Sequence, residues 1–124
     1  MTFTERYFKA LDGGEPIDPD QWCTPDFRFC VMWGVGDEAS QIAGDLEAFR
    51  AYVDARVPPE AHIHHVLYST GDATRELSFG RTTQQGEPLA TFSFAVEVDG
   101  EGRMRQLFAA RTTTLAIGDL SPAS

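Results

Sequence analysis

The sequence has few basic residues and no long apolar run, and each shortage excludes a class of protein. Ten lysines and arginines stand against 19 aspartates and glutamates in 124 residues, which gives a net charge of −9. Such a chain lacks the basic face that nucleic acids and anionic membranes require, so neither is expected as a partner. With no run of about 18 apolar residues and no basic start before an apolar segment, neither a membrane span nor a signal peptide is indicated. We therefore expect a cytoplasmic protein.

Cysteine is also scarce. The two cysteines, Cys23 and Cys30, are expected to be thiols, because a chain without an export signal normally stays in a reducing compartment. Both suit small, buried apolar positions. A hydrophobic content of 42% in 124 residues predicts one domain, residues 1–124, with a single hydrophobic core.

Capping residues and a 3.6-residue apolar period predict three helices in the first half of the chain. The residues expected to begin them are Thr2 (with Glu5 reaching back to it), Asp18 and Asp45. The residues expected to end them are Gly13-Gly14, Pro25 and Pro58-Pro59, with Val57 the last member of the third apolar stripe.

Period-two alternation predicts five strands. The first covers 27–33, and four follow at about 61–69, 73–83, 88–98 and 103–117, with glycine-containing turns between them. The segment 34–44 has three glycines around a charged centre and is predicted to be a loop. Segregated helices and strands indicate an α+β fold: a cone-shaped, curved, antiparallel (mixed) sheet wrapped around three N-terminal helices, enclosing an apolar pocket.

Three short motifs in this order resemble the nuclear transport factor 2-like superfamily, and within it the SnoaL-like and ketosteroid-isomerase-like small domains. They are Arg6-Tyr7 followed by Ala10-Leu11-Asp12-Gly13-Gly14, then Gly44-Asp45-Leu46-Glu47-Ala48-Phe49, then Asp99-Gly100-Glu101-Gly102-Arg103-Met104. The resemblance covers nearly the whole chain. It implies the fold and not one activity, because this fold hosts both enzymes and non-enzymes.

The resemblance implies a role for Tyr7, which matches the first-helix tyrosine that donates a hydrogen bond to the developing oxyanion in ketosteroid isomerases. Those enzymes also need two aspartates. The matching positions here hold Val31 or Met32, and Phe94. Without a base no α-proton is removed, so steroid isomerisation by that mechanism is not expected.

The dehydratases and dehydrochlorinases of this fold pair a first-helix aspartate with a strand histidine that removes a proton. Asp12 resembles that aspartate and is the predicted orienting carboxylate. Strand alternation places Ile63, His65 and Leu67 on the more apolar side, so His65 is the first choice as base. His64 is the second choice, because a one-residue shift of register reverses the faces.

His62 and His64 share one face of that strand, but no third metal ligand is evident nearby. We therefore expect no metal and no cofactor. Arg111 is predicted to face the pocket, where its guanidinium would need a carboxylate, either Asp12 or one on the substrate. The alternative is that its head reaches a glutamate at the surface.

The predicted pocket wall is largely aromatic and suits a small hydrophobic ligand. Its residues are Trp33, Phe29 (or Phe27), Val31, Phe92, Phe94, Leu107 and Arg111. The opposite face of the last strand carries Phe108, Ala110, Thr112 and Thr114 and is too apolar to leave wet, so we expect a homodimer through the outer sheet face.

Two functional hypotheses follow. The first is a cofactor-independent lyase, isomerase or cyclase that acts on a small hydrophobic metabolite, with His65 or His64 as base, Asp12 as its orienter and Tyr7 as hydrogen-bond donor. The second is a non-catalytic small-molecule-binding or assembly domain. An epoxide hydrolase of this fold would need an Asp-Arg-Asp arrangement that we do not recognise in the sequence.

Overall fold

The computed structural model describes residues 1–55 and 62–113. Within these ranges the chain forms three helices and six strands. The helices are α1 (Phe3–Asp12), α2 (Pro19–Trp22) and α3 (Leu46–Asp54). The strands are β1 (Cys23–Val35), β2 (Glu38–Gly44), β3 (Ile63–Gly71), β4 (Arg75–Gln84), β5 (Glu87–Val98) and β6 (Met104–Thr112). The predictions for Val57, Pro58-Pro59, Thr114 and the rest of 114–117 lie outside the described residues.

The six strands form one sheet in the order β2-β1-β6-β5-β4-β3. Strands β1 and β6 are parallel, and every other neighbouring pair is antiparallel. The predicted α+β fold with a curved, mixed sheet is therefore confirmed. Gln85 and Gly86, at φ 53° and 84°, form the predicted turn between β4 and β5.

The prediction of a loop at 34–44 is wrong, because β2 pairs along β1 from Val35↔Glu38 to Phe29↔Gly44. Gly36, at φ 63°, lies in the short turn between the two strands. As the edge strand, β2 exposes nearly all of its residues to water, and only Ile42 and Gly44 are half-buried. The alternation that reveals a half-buried strand is consequently absent from its sequence.

Helix α1 begins where the capping pattern predicts. The Thr2 hydroxyl oxygen accepts a hydrogen bond from the Glu5 amide at 3.1 Å and donates one to the Glu5 carboxylate at 3.1 Å. The Glu76 carboxylate on β4 then accepts from the amides of Phe3 and Thr4, at 2.8 and 3.0 Å, and from the Thr4 hydroxyl at 2.8 Å. This second cap fixes the N-terminus of α1 to the sheet.

The sheet has an inner face, which packs on α1 and α3, and an outer face on its other side. Aromatic rings dominate the core between the helices and the inner face. The buried ones are Phe3, Tyr7, Phe8, Phe27, Phe29, Phe49, Phe92 and Phe94. Among residues 1–55 and 62–113, no helix is both long and apolar enough to cross a membrane.

Strand β3 contains a β-bulge that decides which histidine faces the core. Val66 pairs with Gly80 and Tyr68 with Phe79, which leaves Leu67 without an opposite residue. Before the bulge, His64 and Val66 lie on the inner face; after it, Tyr68 is on the outer face and 43% exposed. In a regular strand Leu67 would lie on the same face as Ile63 and His65, which is the outer face here. Because a bulge shifts the alternation by one residue, Leu67 is instead buried, with 6% of it exposed.

Candidate functional site

A cavity of about 120 Å³ lies between α1, α3 and the inner face of the sheet. Aromatic and aliphatic side chains make up most of its wall, and five of the described lining residues have polar side chains: Tyr7, Tyr52, His64, Ser93 and Arg111. An apolar wall with a few convergent polar groups is typical of small-molecule sites. A cavity of about 150 Å³ holds one benzene ring, so this cavity suits a ligand of about that size.

Asp12 and His64 form two hydrogen bonds at the edge of this cavity. The Asp12 carboxylate accepts from the His64 ring nitrogen Nδ1 at 2.8 Å and from the His64 backbone amide at 2.6 Å. Both side chains are largely buried, with 11% of Asp12 and 13% of His64 exposed. The last turn of α1 and the start of β3 bring the two residues together, although 52 positions separate them in sequence.

The carboxylate determines which nitrogen of His64 carries the proton. An ionised carboxylate only accepts hydrogen bonds, so Nδ1 is the donor to Asp12. In the neutral imidazole, Nε2 then keeps its lone pair. Nε2 has no hydrogen-bond partner within the described part of the chain, and His64 lines the cavity. The arrangement places an oriented base at the wall of an apolar cavity.

Two aromatic rings hold the imidazole in place. Phe8 stacks on it with 4.2 Å between ring centroids, and Phe92 meets it edge-on at 5.5 Å. Gly80 makes room for the second contact, because a Cβ there would lie 2.7 Å from the Phe92 ring and 2.1 Å from the His65 carbonyl oxygen. Packing on both sides therefore fixes the His64 ring.

His65 does not line the cavity, so the prediction that it faces the pocket is wrong. The side chain lies on the outer face, and its Nε2 contacts the Thr83 hydroxyl at 2.9 Å. The physical reason is the bulge at Leu67: His65 and Leu67 fall on one face of a regular strand, but not across a bulge. His64, the second choice, is the histidine in the cavity.

The remaining predicted wall residues divide into three groups. Val31, Phe92, Phe94, Leu107 and Arg111 line the cavity. Phe29 packs behind it against the rings of Phe49 and Tyr52, 5.2 and 6.0 Å away. Trp33 does not line the cavity and is 36% exposed, because it lies two residues further along β1 than Val31, towards the turn into β2.

Tyr52 was missed as a polar group of the site. Its spacing of three residues from Phe49 in α3 is typical of an apolar stripe, and its ring packs on Phe29 and Phe49. Its hydroxyl oxygen forms no hydrogen bond with the residues of 1–55 and 62–113, and Tyr52 lines the cavity. The available signal was a single hydroxyl in an otherwise apolar stripe. Tyr7 also lines the cavity and is 5% exposed.

The positions matching the isomerase aspartates, Val31, Met32 and Phe94, all contribute to this cavity, where they provide no carboxylate. In the described ranges, no group of three or more histidine, cysteine, aspartate or glutamate side chains could hold a metal ion. Among the residues that the structure describes, the ionisable side chains lining the cavity are Tyr7, Tyr52, His64 and Arg111, and Asp12 is bound to His64 at its edge.

Solved structures with the same fold are known. A proposed polyketide cyclase from Sinorhizobium meliloti has a TM-score of 0.54 and 19% identity, covering 86% of this chain and 92% of its own. A proposed isomerase of the SnoaL-like family from Agrobacterium tumefaciens has a TM-score of 0.56 and 13% identity, covering 88% and 93%. A proposed ketosteroid isomerase from Kribbella flavida has a TM-score of 0.56 and 12% identity, covering 88% and 74%.

These likenesses confirm the fold that the three sequence motifs predict: that of the SnoaL-like and ketosteroid-isomerase-like domains of the nuclear transport factor 2-like superfamily. No family model and no curated protein matches the chain. At these identities the likeness concerns the fold alone, so the activity has to be argued from the site.

Proposed function

We propose that the protein is a cofactor-independent lyase, isomerase or cyclase that acts on a small hydrophobic metabolite by general acid–base chemistry. The observation that carries this proposal is the Asp12–His64 pair, with Nδ1 bound to the carboxylate at 2.8 Å and the ring at the wall of the cavity. The expected catalytic residues are His64 as base and Asp12 as its orienter. Tyr7 is the expected hydrogen-bond donor.

The first step is proton abstraction from a carbon next to a carbonyl group. Nε2 of His64 takes the proton, and the electrons of the C–H bond move to the carbonyl oxygen to give an enolate. The imidazolium is stabilised by the Asp12 carboxylate. Return of the proton to another carbon of the enolate gives an isomer. Loss of a leaving group from the β-carbon gives a carbon–carbon double bond, which is a lyase reaction. Attack of the enolate carbon on a second carbonyl group closes a ring, and the new alkoxide takes the proton from His64.

Two of the structural relatives are described as a proposed polyketide cyclase and a proposed isomerase, and both activities belong to this general class. The site supports that class because it combines a base with an apolar wall and needs no further reagent. The apolar side chains that would hold the substrate are Val31, Phe92, Phe94 and Leu107. We expect a small hydrophobic substrate for the same reason.

A specific observation favours the second candidate, a non-catalytic binding domain. Asp12 accepts a hydrogen bond from the His64 backbone amide as well as from the ring, so it also ties the end of α1 to β3. A carboxylate in the last turn of a helix opposes the helix dipole, and this tie offsets that cost. On this alternative, Asp12 serves folding alone and the cavity only binds.

An exchange experiment distinguishes the two candidates. The protein is incubated in D2O with acetophenone, phenylacetone and ethyl benzoylacetate, and deuterium uptake at the α-carbon is followed by NMR. We expect the wild type to accelerate uptake for at least one compound, and His64→Gln and Asp12→Asn to lower that rate about 100-fold or more. His65→Gln, the matched control on the outer face, should keep the wild-type rate. Equal rates in wild type and His64→Gln would rule out the enzyme.

We further propose a homodimer through the outer face of the sheet. A shallow groove of about 600 Å³ crosses this face and includes Cys30, Leu77, Ala95 and Phe108. Leu77 and Phe108 are 55% and 46% exposed. Apolar side chains grouped in this way are typical of an interface, and a second copy of the chain offers a surface of the same shape and character.

A further inference from the structure

Arg111 carries a positive charge that the rest of the described chain does not neutralise. The residue lines the cavity from β6 and is half-buried. Its guanidinium makes no ion pair or hydrogen bond with any residue in 1–55 or 62–113, whereas Arg50, Arg75, Arg103 and Arg105 each pair with a carboxylate. In particular, Asp12 is engaged by His64 instead.

The surroundings of Arg111 make an uncompensated charge costly. No aspartate or glutamate is among the described residues that line the cavity. Across the ladder, Arg111 lies opposite Phe92 on β5 and Trp33 on β1, so two aromatic residues flank it. A partly desolvated guanidinium in such a place gains most from an anion that accepts its parallel N–H donors, as a carboxylate does.

Two opposite charges therefore flank the cavity, the positive one at its wall and the negative one behind a wall residue. The Asp12 carboxylate lies behind His64 on the β3 side, and Arg111 lies on β6. Along one row of the sheet, Arg111 pairs with Phe92, Phe92 with Gly80 and Gly80 with Val66, two residues from His64. Three strand spacings correspond to about 14 Å between backbones. The cavity of about 120 Å³ is lined by residues of both end strands, His64 and Arg111.

We infer that the cavity binds a small apolar ligand that carries a carboxylate, which the Arg111 guanidinium holds, with the apolar body against Phe92, Phe94 and Leu107. The inference rests on the proposed function only for the ligand's orientation. With the carboxylate at Arg111, the opposite end of the ligand faces Nε2 of His64. The carboxylate is an anchor remote from the reacting carbon and takes no part in proton transfer.

The test compares a charged ligand with an uncharged one of the same shape. Benzoate and benzamide are titrated into the ¹⁵N-labelled full chain, and dissociation constants are taken from amide shifts of residues at the cavity. We expect the wild type to bind benzoate at least about tenfold more tightly than benzamide. Raising the salt concentration from about 0.02 M to 0.5 M should weaken benzoate binding and leave benzamide binding almost unchanged.

Three variants assign the preference to Arg111. Arg111→Gln should reduce it to about twofold or less, and Arg111→Lys should keep part of it, because the charge remains without the planar fork. Arg28→Gln removes the same charge from an exposed position and should keep the whole preference.

The inference is overturned if the wild type does not bind benzoate, or binds it no more tightly than benzamide. Retention of the full preference in Arg111→Gln overturns it as well. If Arg111→Gln does not fold, two measurements still test the inference: the salt dependence of benzoate binding in the wild type, and the benzoate preference of Arg111→Lys. Failure of the deuterium-exchange test would refute the proposed enzymatic activity but not the binding of benzoate at Arg111. The two failures are therefore distinguishable.

Discussion

The imidazole of His64 lies flat on the ring of Phe8, with 4.2 Å between the ring centroids and 3° between the planes. Phe8 is 6% exposed and also contacts Phe92 and Phe94, so its position is fixed independently of His64. The hydrogen bond to Asp12 sets the direction of the imidazole, and Phe8 sets its plane. Phe8 is thus a positioning residue for the proposed base.

The variant Phe8→Leu tests this role. We expect unfolding free energy to fall by about 1–2 kcal/mol, since the smaller side chain leaves a partly filled space. The larger effect should be on the exchange rate, with a loss of about tenfold from a less well-oriented ring. The ring protons of His64 should lose the upfield NMR shift that stacking produces. Phe108→Leu, on the outer face, should leave the exchange rate and the His64 ring-proton shift unchanged. His64 ring protons that keep their upfield shift in Phe8→Leu would contradict the account.

Glu76 is predicted to be the main support of the N-terminus of α1. Its carboxylate accepts hydrogen bonds from the amides of Phe3 and Thr4 and from the Thr4 hydroxyl. Glu76→Gln replaces one acceptor oxygen with a donor, so it should lower the free energy of unfolding by about 1–3 kcal/mol. Urea unfolding measures this. Glu97→Gln, which affects only the 3.6 Å pair with exposed Arg75, should cost less than about 0.5 kcal/mol; equal costs would contradict the prediction.

The two cysteines are free, as the composition predicts, and they differ in exposure. Cys23 is 1% exposed, and burial, followed by the nearby Asp20 charge, raises the pKa of its thiol to about 12. The thiolate that reacts with iodoacetamide is therefore nearly absent at about pH 8. A Cys30→Ser variant should resist alkylation while folded and react fully in urea, as read by mass spectrometry. Rapid alkylation of the folded variant would show that the region around Cys23 opens.

The proposed dimer predicts a change of mass on a single substitution. The wild type should sediment as a dimer at about 50 µM, within the range where interfaces of standard size persist. Phe108→Glu places a charge among the apolar side chains of the groove and should give a monomer with unchanged circular dichroism. Val35→Glu, at a residue that is 60% exposed near the β1–β2 turn, adds the same charge and should stay dimeric. A monomeric wild type would remove the dimer proposal.

Local signals predicted much of the fold. Thr2, Asp18 and Asp45 cap the three helices, and the turns between the long strands occur at the expected glycines. These features depend on neighbouring residues, so a sequence window contains the information. The edge strand β2 escaped prediction because one of its sides has no neighbouring strand and its residues are mostly exposed.

The candidate site was harder to predict because it depends on contacts distant in sequence. Asp12 and His64 were both named as site residues, yet the preference for His65 came from extending a regular alternation to Leu67. A bulge in β3 changes that phase, and the sequence around Val66 and Leu67 has no glycine or proline to mark it. That Arg111 has no carboxylate partner within residues 1–55 and 62–113 was equally hidden, because the sequence leaves Asp12 open as its partner, whereas in the structure Asp12 binds His64.

The central claim is that Asp12 holds the proton of His64 on Nδ1 and leaves Nε2 as the base. A long-range ¹H–¹⁵N correlation spectrum at about pH 8 reports this directly, because the two neutral tautomers give different nitrogen shifts and coupling patterns. We predict a protonated Nδ1 and an unprotonated Nε2 for His64 in the wild type, and a loss of this preference in Asp12→Leu. An Nε2-protonated His64 in the wild type, or two tautomers in equal amounts, would contradict the account.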